Sequence, residues 1–308
     1  MIQTVCNVPK RFERLLKSAV PNRSVQSLEV LQGGSSNLNI LVRLQGETTA
    51  LVLRVYVRNP SAAVTEFPVL RSLRGLLPVP EVVKADTTGS EAGEPYVLYR
   101  YLEGVTFQSL KKEGSSLDLA QAAHALGRVL ALLQRAGIEF CTAHGLSPRP
   151  QVGESTMNQA LLGQRLGPHD VTLLCNLFRT WSPRIGELYQ AKTLVHGDFN
   201  SRNALFQRKN GGWEVAGILD WELACFGSPL WDAARFICYE HKDRSCREPH
   251  FSNGFRANGG ELPKDWTTFS RVINAISAAE ALNRSEVQAQ FIPDLRHVVH
   301  DAFHSLVQ

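Results

Sequence analysis

The hydrophobic pattern of this chain changes its period near residue 104, and that change limits the possible folds more than any other feature. Before it, apolar residues alternate as on a half-buried strand, as Ile40, Val42 and Leu44 do in LNILVRL. After it, AQAAHALGRVLALLQRAG carries an apolar stripe at helical spacing, made of Ala122, Leu126, Val129, Leu130 and Leu133. The pattern predicts an α+β fold of two lobes, with a small antiparallel-sheet N-lobe (residues 1–103) and a larger, mainly helical C-lobe (residues 104–308).

Composition excludes several classes of function. The chain has 308 residues, 44% of them hydrophobic, and a formal charge of +4 without a block of Lys or Arg, so nucleic-acid binding is not expected. No apolar run approaches the roughly 20 residues of a membrane span, so we expect no membrane insertion. Six scattered cysteines favour a reducing, cytoplasmic setting. The first twenty residues do not form a secretory signal, and their basic character fits organelle import or an ordinary amphipathic helix.

Two apolar, strand-like runs end in polar residues. LVHGDFNSRNALF places Asp198 and Asn203 inside an apolar frame, and VAGILDWE ends its apolar part at Asp220. Mg²⁺ keeps several waters and needs only one carboxylate and one amide beside substrate phosphates. The remaining aspartate can orient a hydroxyl group for attack on a phosphoryl group. Each residue alone would favour a turn or loop role, but the joint spacing H-G-D-x-x-x-x-N followed by D-W-E is much more specific.

Three segments, VHGDFNSRN, ILDWE and GSPLWDAARF, resemble the aminoglycoside phosphotransferase and choline-kinase-like family. The resemblance covers nearly the whole chain and implies a protein-kinase-like fold that binds ATP and Mg²⁺. It implies that Asp198 is the catalytic residue and that Asn203 and Asp220 hold magnesium ions. Asp232 then braces the catalytic loop through backbone hydrogen bonds, and His196 is a second structural brace.

In this family the N-lobe supplies the nucleotide site. The segment GGSSN lies between two predicted strands, where its backbone N–H groups can reach phosphates, although such a cluster also suits an ordinary hairpin. The candidate residues are Gly34, Ser35, Ser36 and Asn37. Arg54 interrupts the apolar strand LVLRVY, where it either grips the α- and β-phosphates or faces solvent at a strand edge.

The resemblance also gives Arg54 a helix-borne ion-pair partner, Glu66. Pro68 follows closely, and a proline there requires the helix to begin near Thr65 or to kink.

The segment YVLYRYLEG resembles the hinge that contacts the adenine edge. The Glu-Gly pair at its end assigns those contacts to the main chain of Arg100 and Leu102, whose side chains then point away from the base. Glu222, two residues past Asp220, supports the metal site indirectly or contacts the metal through water.

The acceptor is expected to be a small molecule rather than a protein. Protein kinases carry a lysine two residues after the catalytic aspartate, and this chain has Asn200 there. The eleven residues between Asp220 and Asp232 leave no room for an activation segment and a peptide platform. The sequence therefore predicts an ATP- and Mg²⁺-dependent kinase that transfers the γ-phosphoryl group to a hydroxyl of a small molecule.

The sequence alone leaves several alternatives open. The chain is either an active kinase or a nucleotide-binding regulator that has lost activity, and a pure scaffold is a further reading. The acceptor could be an aminoglycoside, although acids and bases beyond Cys141 are close to equal in number and form no acidic cluster. A C-x₂-H-x₄-C-x₃-H spacing fits either zinc ligands or packing residues, with the latter favoured. Its members are Cys238, His241, Cys246 and His250.

Overall fold

A computed structural model of the chain describes residues 10–31, 37–151, 153–238, 247–285 and 287–306. The strands are β1 Val25–Val30, β2 Leu38–Leu44, β3 Leu51–Val55, β4 Val82–Asp86, β5 Tyr96–Arg100, β6 Val105–Thr106, β7 Thr193–Val195, β8 Ala204–Lys209, β9 Gly212–Ile218 and β10 Cys225–Gly227. The α-helices are α1 Lys10–Ala19, α2 Ala62–Leu73, α3 Phe107–Glu113, α4 Ser116–Leu133, α5 Ile138–Ala143, α6 Gln159–Leu166, α7 Pro168–Gln190, α8 Leu230–Ile237, α9 His250–Ala257, α10 Trp266–Leu282 and α11 Ile292–Leu306. None of the helices in the described ranges is long and apolar enough to cross a membrane.

The first five strands form one antiparallel sheet in the order β1-β2-β3-β5-β4. Two small sheets follow, one of β6, β8 and β9 and one of β7 and β10, and the rest of the described chain is mainly helical. The α+β class with an antiparallel N-terminal sheet and a helical C-terminal region is confirmed. β2 occupies the predicted residues: Ile40, Val42 and Leu44 are buried on one face, as their alternation predicted, and Leu41 on the other face is buried as well.

The chain divides into two compact units. One contains Met1–Phe107 together with Arg202–Ala224, and the other contains Gln108–Ser201 together with Cys225–Gln308. The hairpin β8–β9 therefore belongs to the first unit, although it comes a hundred residues later in the chain. The division of the lobes after residue 103 stays a prediction.

The central strand β3 is buried on both faces. Leu51, Leu53 and Val55 pack in one cluster with residues of α1, such as Leu15 and Leu16. Because side chains alternate along a strand, the intervening residues of β3 point to the opposite face. A strand buried in this way gives any polar side chain on it a fixed, desolvated environment.

The helix α2 begins earlier than the sequence predicted. It starts at Ala62 and continues through Pro68, so of the two predicted alternatives the start near Thr65 is wrong, and the kink stays a prediction. Proline inside a helix removes one backbone hydrogen bond. The helix nevertheless continues, because it buries a face that includes Glu66 and Leu70.

The carboxylate of Asp86 organises the loop between β4 and β5. Oδ1 accepts hydrogen bonds from the backbone N–H groups of Thr88, Gly89 and Ser90, and Oδ2 accepts one from Glu91 at 2.8 Å. Burial raises the pKa of Asp86, but the hydrogen bonds from Glu91, Thr88 and Gly89 outweigh burial and lower it. The ionised form is therefore the form that holds the loop.

We expect Asp86→Asn to lower the free energy of unfolding by about 2 kcal/mol at pH 7, because hydrogen bonds to charged groups are worth about that much. A folded-state pKa below the unfolded value of about 3.9 contributes stability above that pH and loses it as pH falls through the folded pKa. The acid side of the stability curve should therefore be shallower in the variant. Urea unfolding between pH 7 and pH 2.5 measures both effects. Glu261→Gln, at an exposed position, is the control, and an equal loss in both variants would contradict the assignment.

Candidate active site

Arg54 lies on the central strand β3, with β2 on one side and β5 on the other. Its side chain is on the face opposite the α1 cluster and the residue is only 4% exposed. A solvent-facing arginine at a strand edge is therefore the wrong interpretation of this position. A buried guanidinium in a central strand requires partners, because desolvating a charge is costly.

The guanidinium of Arg54 contacts three carboxylates. Nε lies 3.0 Å from Glu66 Oε2, Nη2 donates a hydrogen bond to Asp220 Oδ1, and the same nitrogen lies 3.4 Å from Glu222 Oε2. Burial lowers the pKa of Arg54, but Glu66 and Asp220 raise it, and the pKa lies well above its ordinary value. Arg54 is thus a permanent positive charge inside an acidic group, which we call the Arg54 cluster (Arg54, Glu66, Asp220 and Glu222).

Glu66 joins α2 to the rest of this cluster. The hydroxyl of Tyr56 donates to Glu66 Oε2 at 2.7 Å, and the backbone N–H of Trp221 donates to Oε1 at 3.4 Å. Burial raises the pKa of Tyr56 well above its ordinary value, and Glu66 adds to this effect, so the hydroxyl keeps its proton and remains a donor. With both oxygens engaged, Glu66 holds the position of Arg54 rather than moving freely.

The hairpin β8–β9 places Asn203 and Asp220 at the same end. Ala204 pairs with Ile218, and the carbonyl of Asn203 accepts a hydrogen bond from the N–H of Leu219 at 2.8 Å. Asp220 has a positive φ of 70°, a conformation that aspartate tolerates better than most residues. This sharp change of direction ends the strand and turns the carboxylate toward Arg54.

The D-W-E motif alternates between the site and the core. Asp220 and Glu222 both contact Arg54, whereas Trp221 between them is fully buried and donates from Nε1 to the carbonyl of Ile218 at 3.0 Å. Glu222 Oε2 also accepts a hydrogen bond from Asn37 Nδ2 at 2.6 Å. Trp221 therefore anchors the segment while its two acidic neighbours stay at the site.

The donor set of the cluster fits a divalent cation. The cluster brings three carboxyl groups to one guanidinium, and carboxylate oxygens are ligands that divalent cations accept. The carboxylate of Asp220 and the amide of Asn203, from the same end of one hairpin, are ligand types that Mg²⁺ accepts. No three His, Cys, Asp or Glu side chains of the described residues form a ready metal cage. A magnesium ion held by one carboxylate, one amide, water and substrate phosphates does not need such a cage.

The other predicted nucleotide contacts are placed only in part. Gly34, Ser35 and Ser36 lie outside the described residues. The backbone N–H of Arg100 donates to the carbonyl of Glu81 at 2.9 Å. The side chain of Leu102 packs onto Gly217 of β9, where a Cβ would lie only 2.4 Å from Leu102 Cδ1.

The second unit contains the HGD loop, residues 196–200, which follows β7. The buried carboxylate of Asp232 on α8 accepts hydrogen bonds from the backbone N–H groups of His196 at 2.7 Å and Gly197 at 3.0 Å. Burial raises the pKa of Asp232, whereas His196 and these N–H groups lower it, and the net shift is upward. His196 is fully buried, and its Nδ1 accepts from the N–H of Asp198 at 3.2 Å. Asp232 thus holds the loop from α8, whereas His196 holds it from within the loop.

Asp198 lies at the exposed side of the HGD loop. Its side chain is 30% exposed, and Asp198 Oδ1 lies 3.3 Å from Nε of Arg235 on α8. Asn200 donates from Nδ2 to the backbone carbonyl of Asp198 at 3.2 Å. The loop therefore presents a carboxylate to solvent from a rigid backbone, as a residue that acts on a small-molecule hydroxyl requires.

Only part of the C-x₂-H-x₄-C-x₃-H spacing lies within the described residues. His241 and Cys246 lie outside them, and Cys238 is buried at the end of α8. Burial raises the pKa of the Cys238 thiol, whereas Arg235 lowers it, and the net shift is upward.

Sequence reasoning missed two site residues, Tyr56 and Arg235, and one contact between residues that it had named. Tyr56 lies two residues after Arg54, so strand alternation alone places both on one face. Arg235 lies three residues after Asp232, so helical spacing alone places both on one side of α8. The contact between Asn37 and Glu222 has no such local signal, because the two residues are 185 positions apart.

A family model described as "Phosphotransferase enzyme family" matches residues 27–267. Among solved structures, a thermostable mutant of aminoglycoside phosphotransferase APH(4)-Ia, in ternary complex with AMP-PNP and hygromycin B, aligns with a TM-score of 0.63 and 20% identity. The alignment covers 96% of this chain and 99% of that one. The GDP complex of wild-type aminoglycoside 2'-phosphotransferase-IIIa aligns with a TM-score of 0.65 and 19% identity, covering 95% and 99%. These likenesses confirm the fold that the resemblance implied.

Curated relatives match over part of their length. Acyl-CoA dehydrogenase family member 10 of Mus musculus is 26% identical over 232 residues, which are 72% of this chain and 21% of that protein. Acyl-CoA dehydrogenase family member 11 of Homo sapiens is 25% identical over 205 residues, which are 64% of this chain and 25% of that protein. The chain thus spans about a fifth to a quarter of the length of these two relatives.

Proposed function

Because this chain belongs to the phosphotransferase enzyme family, we propose that it transfers the γ-phosphoryl group of ATP to a hydroxyl group of a small molecule in a Mg²⁺-dependent reaction. The observation that carries this proposal is the Arg54 cluster, in which one buried guanidinium contacts three carboxylates. Such a cluster has both a cation for phosphate oxygens and acidic ligands for a metal ion.

On the nucleotide side, each residue has a distinct role. Arg54 steadies the α- and β-phosphates, and Glu66 holds Arg54 in place. Asn203 and Asp220 hold Mg²⁺, which when bound would neutralise charge on the phosphates. Glu222 supports this arrangement through its contacts with Arg54 and Asn37. Further phosphate contacts come from the backbone of residues 34–37, and adenine contacts come from the main chain of residues 100 and 102.

On the acceptor side, Asp198 orients the hydroxyl group and accepts its proton late in the transfer. Phosphoryl transfer depends mostly on positioning and on charge neutralisation rather than on covalent intermediates. The brace from Asp232 to the backbone of the HGD loop supports this role, because it fixes the position from which Asp198 acts. We further propose that residues 1–103 form the nucleotide-binding lobe and residues 104–308 the acceptor-binding lobe.

The acceptor class that fits best is a hydroxylated small molecule that is not a polycation. The two solved relatives include one bound to hygromycin B, so an aminoglycoside is the alternative. Polycations favour acidic surroundings, whereas the exposed side chain of Asp198 is paired with Arg235. The pair presents no net negative charge to a cationic acceptor.

The nucleotide site can be tested before an acceptor is identified. We expect Mg²⁺ and ATP together to raise the unfolding temperature, since a ligand at a hundred times its Kd stabilises a fold by about 2.7 kcal/mol. Thermal unfolding with ATP, GTP and ADP, each with and without Mg²⁺, makes the measurement. No shift with any nucleotide would remove the basis of the proposal.

Asp220→Ala is expected to abolish the Mg²⁺-dependent part of the ATP-induced shift, because the variant lacks the carboxylate proposed to hold the ion. The matched control is Glu214→Ala, which removes a half-exposed carboxylate from the same hairpin, where it pairs with Lys209. The control should keep the full Mg²⁺ dependence. A normal magnesium titration in Asp220→Ala would refute the ligand assignment.

ADP release separates the kinase from an inactive regulator. A regulator would bind Mg²⁺ and ATP and release no ADP with any acceptor, whereas a kinase releases ADP when its acceptor is present. No observation on the described residues favours the regulator, because Asp198, Asn203 and Asp220 are all present.

A further inference from the structure

The helix α8 contacts the HGD loop at two levels. Asp232, in its first turn, binds the loop backbone, and Arg235, one turn later, contacts the side chain of Asp198. The two residues are three positions apart and so lie on the same side of the helix. One short helix therefore fixes both the path of the loop and the carboxylate that the loop presents.

Arg235 connects the end of α8 to the HGD loop. Its Nε donates to Asp198 Oδ1 at 3.3 Å, and Arg235 lowers the pKa of the nearby Cys238 thiol at the end of α8. Cys238 is buried, whereas the side chains of Arg235 and Asp198 are 39% and 30% exposed. The guanidinium thus lies beside a partly exposed carboxylate, where both groups are accessible to solvent.

The loop supplies no comparable group at the position where protein kinases have a lysine. Asn200 occupies that position and donates its hydrogen bond back to the carbonyl of Asp198. The positive charge that accompanies Asp198 comes instead from α8.

We infer that Arg235 is a positioning residue for phosphoryl transfer, which orients the carboxylate of Asp198 toward the acceptor hydroxyl. This inference rests on the proposed function. The magnitude of the interaction favours this role over a structural one, because ion pairs as exposed as this one add little to folding stability. The effect on the catalytic rate can be much larger than the effect on stability, since a misplacement of about 1 Å in a reacting group can lower a rate by about a hundredfold.

The test compares Arg235→Gln and Arg235→Lys with the unchanged protein. ADP release from Mg²⁺ and ATP is measured with a sugar, an amino alcohol, a hydroxy acid and kanamycin as acceptors. We expect Arg235→Gln to lower kcat about ten- to a hundredfold, with unchanged KM for ATP and an unchanged ATP-induced thermal shift. Arg235→Lys keeps the positive charge but lacks the planar guanidinium, so its kcat should lie between those of Arg235→Gln and the unchanged protein.

Arg271→Gln is the matched control. The side chain of Arg271 on α10 is also 39% exposed, and its Nε lies 3.8 Å from a carboxylate oxygen, Oδ2 of Asp301. The partner of this arginine is therefore Asp301 instead of Asp198. The kcat of Arg271→Gln should equal that of the unchanged protein. If the kcat of Arg235→Gln stayed within twofold of that of the unchanged protein, this inference would be overturned but the proposed function would not. The same holds if the variant lost the ATP-induced thermal shift together with its kcat. An unchanged protein that turns over no acceptor would overturn the proposed function, and this inference with it.

Discussion

Replacing Asp198 with asparagine is expected to lower the rate of phosphoryl transfer by about a thousandfold while Mg²⁺ and ATP still bind. The amide has nearly the size of the carboxylate but cannot accept the proton of the acceptor hydroxyl, and such proton transfers contribute about 10²- to 10⁴-fold. The backbone of the HGD loop should not change, because it is held by Asp232 rather than by the Asp198 side chain. ADP release measures the rate, and the ATP-induced thermal shift measures binding.

The control is Asp294→Asn, the same chemical change at an exposed position in the first turn of α11. It should leave both measurements unchanged. If Asp198→Asn kept more than about a tenth of the original rate, the catalytic role of Asp198 would be wrong. If it lost the thermal shift as well, the residue would act on folding or on nucleotide binding rather than on the transfer.

Replacing Gly254 with alanine is expected to lower the free energy of unfolding by about 3 kcal/mol or more, which is the upper part of the range for overpacked cores. Helices α4 and α9 cross with their backbones in close contact. A Cβ at Gly254 would lie 2.0 Å from the carbonyl oxygen of His124, and one at Gly127 would lie 2.2 Å from that of Phe251. Both obstacles are backbone atoms, so no side-chain rotation relieves the overlap and the helices must separate.

Urea unfolding measures this loss, and Gly163→Ala is its control. Gly163 lies inside α6, where a Cβ would meet nothing within 4 Å. Alanine there should stabilise the protein by about 0.5–1 kcal/mol, because it reduces the freedom of the unfolded chain. Equal effects of the two substitutions would show that the α4–α9 crossing is not tightly packed.

The sequence by itself indicated several local elements and the residues of the candidate site. Alternation placed β2 on its observed residues, and the stripe beginning at Ala122 predicted the buried face of α4. The segments VHGDFNSRN, ILDWE and GSPLWDAARF together indicated the family. These features follow from periodicity and residue chemistry over short distances, which a sequence displays directly.

Helix boundaries and contacts between helices were harder to predict from the sequence. Pro68 indicated either a later start for α2 or a kink, and the helix starts early because burial of Glu66 and its neighbours outweighs the lost hydrogen bond. Nothing in the sequence around Gly127 and Gly254 indicated that two backbones meet there. A glycine inside a helix is locally unfavourable, and only the partner helix explains its presence.

The tertiary structure alone decided which groups meet. Arg54 and Asp220 are 166 positions apart, and they come together because the hairpin β8–β9 belongs to the same unit as the N-terminal sheet. Arg235 reaches Asp198 across 37 positions, because Asp232 fixes the HGD loop against α8. The preferences of each residue for strand, helix or turn are local and can be read along the chain. The partner of a buried charge depends on the path of the whole chain, and that path is set by the packing of the completed core.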